Sequence, residues 1–117
     1  MPAEKTFFAT VYFDGVIYTF GGYDCYDKMQ LNSCEYYNIR KDKWFNSDQL
    51  SPQGKVEFQL HKSRSMNSAC LFDDKTIFVF GGYHKDEGTL DSIERFNIKT
   101  RTMELMTLKI PSPLRRF

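Results

Sequence analysis

A hydrophobic run closed by two glycines and a tyrosine occurs twice in this chain: "YTFGGYDCYD" from Tyr18 to Asp27 and "FVFGGYHKDE" from Phe78 to Glu87. The glycine pairs, Gly21-Gly22 and Gly81-Gly82, stand 60 positions apart. Downstream, "LNSCEYYNIRKDKW" (Leu31 to Trp44) meets "LDSIERFNIKTRTM" (Leu90 to Met103) at an offset of 59. Upstream, "TVYFD" (Thr10 to Asp14) meets "ACLFD" (Ala69 to Asp73) at that same offset of 59. One residue gained after Asp73 and one lost in the loop after Gly82 account for the change. A register held through consecutive segments marks a duplicated structural unit, and a repeat constrains the fold more than any local propensity does.

Each unit reads as four short strands. In the first they are "FFATVYF", "VIYTF", "CEYYNI" and "WFNSDQL"; in the second, "SACLF", "TIFVF", "SIERFNI" and "TMELMTL". Asp14-Gly15 is a favoured two-residue hairpin turn between the first two strands. Alternation is visible in the last unit, where Ile93, Arg95 and Asn97 point one way and Glu94, Phe96 and Ile98 the other. No segment carries a sustained helical period. Aromatic residues make up 16% of the chain, a density of rings that favours strands over helices. The predicted fold class is therefore all-β: four-stranded antiparallel meanders in tandem, about 50 residues each, as in the blades of a β-propeller.

These residues resemble the kelch repeat, in which a hydrophobic strand ends in Gly-Gly and a Tyr is followed after six residues by a Trp. The first unit supplies Gly21, Gly22, Tyr37 and Trp44; the second supplies Gly81 and Gly82, with Phe96 for the Tyr and Met103 for the Trp. The second unit has the family's Arg at its start, Arg64, where the first has Lys5. Glycines end a strand where the backbone needs unusual dihedrals and close approach. Tyr37 and Trp44, large and semi-polar, are expected to be buried between one blade and the next. Met103 fills such a gap adaptably but lacks the indole donor, so its contact is expected to be the looser.

The expected organisation is a first blade over 4–50, an inter-blade connection over 51–63, a second blade over 64–109, and the start of a further blade or linker over 110–117. The tail "KIPSPLRRF" resembles another blade entry, with Arg115 placed 51 positions after Arg64. Propellers have roughly 4–8 blades, so the chain reads as two blades of a larger, incomplete ring, packed against further blades or neighbouring subunits.

Charge and cysteine usage narrow the function. A formal net charge of +1 provides no long-range field toward nucleic acid or an anionic membrane. Three cysteines, Cys25, Cys34 and Cys70, form no paired spacing, which points to a reducing compartment. "MPAEKTFFAT" has no apolar core for a secretory signal, and no run approaches the ~18 apolar residues of a membrane span. The expected location is cytoplasmic. His61 and His84 with Cys25 and Cys34 match no zinc spacing, and no nucleophile motif or phosphate loop is present. No catalytic residue, metal or cofactor is assigned.

Strand directions alternate in a meander, so the loops after the second and fourth strands share one face. Those are the long ones: Tyr23–Gln30, Asp48–Lys62 and Tyr83–Thr89. Tyr23, Asp24, Lys28, Tyr83, His84 and Lys85 are the candidate partner-binding residues, since binding groups concentrate on loops held by a rigid scaffold. The expected function is a non-catalytic protein–protein interaction module. The kelch resemblance implies partners such as substrates of ubiquitin-ligase adaptors or cytoskeletal components. Two alternatives belong to other classes: a piece of a propeller enzyme resembling galactose oxidase, and a structural subunit of a large assembly.

Overall fold

The computed structural model describes residues 5–46 and 59–109. Residues 51–58 of the connection predicted over 51–63, residues 48–58 of the loop predicted over Asp48–Lys62, and the tail with Arg115 lie outside those residues. Among the described residues every regular element is a strand. The first sheet contains β1 (Ala9–Phe13), β2 (Val16–Phe20), β5 (Cys34–Asn38) and β6 (Lys43–Asn46), in the order β1-β2-β5-β6. The second contains β7 (Ser68–Leu71), β8 (Thr76–Phe80), β11 (Ser92–Asn97) and β12 (Thr102–Lys109), in the matching order. All neighbours are antiparallel. The repeat is thus realised strand for strand: Val16 pairs with Asn38 in one sheet as Thr76 pairs with Asn97 in the other.

Local chemistry explains the turns and ends. Asp14 and Gly15 both take positive φ, 49° and 79°. That is the backbone a tight hairpin needs to match strand twist. The first strand begins at Ala9 rather than at Phe7 because Phe7 itself adopts φ 56°, which breaks the extended run. Its counterpart Met66, at φ 53°, does the same before β7, and the Met66 N–H donates to the Phe7 carbonyl at 2.8 Å. The two long loops contain ribbons that the strand reading did not anticipate: β3 (Tyr23–Asp24) with β4 (Met29–Gln30), and β9 (Tyr83–His84) with β10 (Gly88–Thr89).

The core lies between the sheets, which run against each other along β1 and β7. The first sheet contributes Ala9, Val11, Tyr18, Phe20 and Tyr36; the second contributes Ile77, Val79, Phe96 and Met103. Phe96 sits with its ring centroid 5.8 Å from those of both Tyr18 and Phe20. Enclosing a side chain of that size contributes roughly 1.5–3 kcal/mol.

Two expectations need correction. Tyr37 and Trp44 are only half-buried, their rings tilted 45° to one another with centroids 5.1 Å apart. Their counterparts Phe96 and Met103 are 1% and 9% exposed. The motif positions point toward the preceding side of each sheet, so only the second sheet's pair meets a neighbour among the described residues. Met103 accordingly closes a tight junction and not a loose one.

Candidate functional site

The loop end of the molecule is assembled on a hydrogen-bonded base. Each glycine pair closes its loop: Gly21 N–H donates to Ser33 and Leu31 N–H to Gly22, while Gly81 N–H donates to Ser92 and Leu90 N–H to Gly82. The segments that enter each sheet then add a third chain to each ribbon. Thr6 exchanges two backbone bonds with Tyr23 at 3.0 and 2.7 Å, and Ser65 does so with Tyr83 at 3.0 and 2.8 Å. Such close approach explains the glycines. A Cβ on Gly21 (φ 67°) would lie 2.5 Å from the Arg64 carbonyl oxygen, and one on Gly82 (φ 94°) 2.6 Å from that of Ser65.

Above this base the candidate residues fall into two tips. In the first, the half-buried Asp24 accepts the Tyr26 and Asp27 N–H groups at 2.8 and 3.1 Å, folding the loop on itself as an Asx turn. Lys28 is exposed, at φ 54°. In the second, His84 Nδ1 accepts the Asp86 N–H at 3.2 Å, an arrangement that assigns the ring proton to Nε2. Lys85 is exposed, and its N–H donates to Gln30 Oε1 at 2.9 Å, which ties one tip to the other. Tyr23 and Tyr83 are half-buried within the ribbons. At the rim, Lys62 Nζ lies 2.9 Å from Glu87 Oε1; this hydrogen bond holds the Glu87 carboxyl below its usual range.

The structure therefore gathers Tyr23, Asp24 and Lys28 in one tip and Tyr83, His84 and Lys85 in the other, joined through Gln30. Asp24 and His84 shape their turns as well as facing outward. Among the described residues, no three His, Cys, Asp or Glu side chains converge as metal ligands would. Cys34 lies wholly inside, where burial pushes its thiol up, whereas Cys25 is exposed on the first tip. His61 turns toward the sheet, its Nε2 lying 2.8 Å from the Met103 carbonyl oxygen.

Directly beneath the loop base lie two buried ion pairs, one per sheet. Arg64 is completely enclosed and distributes its guanidinium over the Gly81 carbonyl (3.0 Å), the Ser92 carbonyl (3.1 Å), the Ser92 hydroxyl (2.9 Å) and Glu94 (2.7 Å). Glu94 also accepts the His61 and Lys62 N–H groups at 2.6 and 3.2 Å. Burial lowers the Arg64 pKa, and Glu94 opposes that shift. In the first sheet, Lys5 Nζ stands 2.8 Å from Glu35 Oε1, both side chains almost fully enclosed. Sequence reading singled out Arg64 and noted Lys5 but missed both glutamates. The available signal was the placement of Glu94 on the same side of its strand as Phe96.

The Kelch motif model matches this chain over residues 5–46 and 64–102, together well over half its length, and the two matched spans begin at the paired cations Lys5 and Arg64. No curated protein matches the chain. Two registered four-stranded antiparallel sheets, each with its glycine pair and its buried cation, and a family match covering both of them establish that this chain belongs to the kelch motif family.

Proposed function

We propose that the chain is a non-catalytic protein-interaction module, two blades of a propeller scaffold, and that its partner protein docks on the loop end. The observation that supports this most directly is the bond from Lys85 N–H to Gln30 Oε1, which joins the two tips above a base of strand-like bonds. Specific recognition benefits from varied side chains held in fixed relation, because less loop ordering then opposes binding. Tyr23 and Tyr83 provide apolar contact with a polar tip; Asp24, Lys28, His84 and Lys85 provide mixed charge and hydrogen bonding. With both signs present, association is expected to be weakly steered and weakly salt-dependent. The proposed setting is the cytoplasm.

The test compares two sets of surface changes. Lys28→Glu with Lys85→Glu alters the tips at exposed positions, and Thr107→Lys alters the exposed outer strand β12. Proteins captured by the unaltered chain should be lost with the tip variant and kept with the β12 variant. The reverse pattern would move the interface to the outer edge and defeat the loop-end reading.

A further inference from the structure

At the junction between the sheets, the turn from β11 to β12 contributes Arg101, whose guanidinium lies over the Tyr36 ring, 5.4 Å from its centroid. The contact joins a cation on the second sheet to a ring on the facing side of the first. Because the chain is a registered repeat, the same positions can be followed one unit along. Arg101 corresponds to Asp42, and both have positive φ, 58° and 50°. Tyr36, paired across strands with Phe45, corresponds to Arg95, paired with Glu104. On the outer face of the second sheet Thr76, Arg95, Asn97, Thr102 and Glu104 line a recess of about 200 Å³. Of their counterparts on the first sheet, Tyr36 is the one that Arg101 covers.

Both members of the contact have changed together. The inserted residue has gone from cation to anion, and the receiving residue has gone from an electron-rich ring to a cation. We propose that this outer face is a docking face for a second copy of the chain, which lays the outer face of its first sheet there and places its Asp42 against Arg95. Three observations select a copy of this chain over another occupant. Asp42 and Arg95 are complementary in sign, and Asp42 would join Glu104, which already pairs with Arg95 at 2.5 Å on that face. The apolar surfaces also continue the internal junction: Tyr37 and Trp44, half-buried, hold the positions from which Phe96 and Met103 seal it. Opposite them would stand Phe78 and the 70% exposed Phe72, rings 5.6 Å apart, at the positions of Tyr18 and Phe13. Such a contact is head-to-tail, so each added copy presents a new open face and growth passes the dimer unless a ring closes. It is separate from the loop end.

Sedimentation of the full chain over a concentration series is the test. The unaltered protein should form species larger than a dimer. Asp42→Arg and Arg95→Asp should each weaken association by about tenfold or more, and the two together should restore it. Asp42 also accepts the Tyr37 hydroxyl. Asp42→Asn keeps an acceptor there and should show the same loss without disturbing the turn. A protein that stays monomeric up to ~1 mM, a range that detects even weak complexes, would overturn the proposal. So would folded single variants that associate like the parent, or a double variant that fails to recover. If only a different, acidic protein binds at Arg95, the face belongs to that partner and not to a copy.

Discussion

Arg64 with Glu94 and Lys5 with Glu35 occupy the same place in the two sheets, at the same near-zero exposure, yet they are bonded very differently. The guanidinium reaches five acceptors, four of them within 3.1 Å, and Glu94 receives two backbone N–H groups besides. The Lys5 ammonium and Glu35 carboxylate are close enough to attract, at 2.8 Å, but among the described residues neither makes an aligned hydrogen bond. Arginine's fixed fork can satisfy several carbonyls at once; lysine is a point charge on a flexible stem. A buried pair stabilises only when its remaining donors and acceptors are also met. Burial alone therefore ranks these two pairs as equals, whereas their hydrogen bonds separate them.

The largest expected effect comes from breaking the satisfied pair. Arg64→Met leaves Glu94 enclosed without its cation and should cost roughly 3–5 kcal/mol in urea unfolding. A loss below about 1 kcal/mol would mean that Glu94 finds other partners or is wetted. The second experiment sharpens the contrast. Lys5→Met combined with Glu35→Leu removes both charges from a poorly bonded site and should be neutral or stabilising by roughly 1–4 kcal/mol. The same double replacement at Arg64 and Glu94 should gain less, because six good bonds disappear with it; equal gains at both sites would erase the distinction.

The smallest effect is pH-dependent and belongs to the first sheet alone. Burial pushes the Cys34 thiol up, with Glu94 and Glu35 adding to the rise and Lys5 opposing it; the matching residue in the second sheet is Ile93, which does not titrate. A raised folded pKa favours the protonated thiol. The corresponding stability is fully present below the unfolded value near ~8.5 and is lost as pH rises toward the folded one, at up to about 1.4 kcal/mol per pH unit. Cys34→Ala should flatten this alkaline limb from its onset. A limb that persists unchanged and begins only near pH ~10 would assign it to tyrosines such as Tyr18, whose hydroxyl burial also raises.

Much of the architecture could be read from the chain because its signals are local. Glycine pairs, the Asp14-Gly15 turn and the alternation through Glu94, Arg95 and Phe96 depend on backbone sterics and strand period, which a sequence displays directly. The half-exposure of Trp44 could not be read that way. It depends on which side of the sheet has a neighbour, a fact located dozens of residues away. The buried glutamates were hidden by a rule of thumb that sends charged strand residues to solvent. Glu94 shared a side with Phe96, and that conflict was the only sign of an enclosed cation. In the loops, composition identified an outward, mixed-charge surface, but Asp24 and His84 also organise their own turns through bonds that composition does not reveal.

The segment from Gln59 to Met66 has a consequence for modularity. Leu60 and Arg64 donate backbone bonds to Asn32 and Leu31, Arg64 accepts one from Gly22, and Met66 reaches Phe7, all in the first repeat. The same eight-residue stretch sends Ser65 to Tyr83 and the Arg64 side chain to Gly81, Ser92 and Glu94 in the second. The unit of duplication is thus not the unit of cohesion. A recombination that exchanged whole repeats at Arg64 would divide a seam that both sheets share, so new neighbours would have to inherit the seam together with the blade.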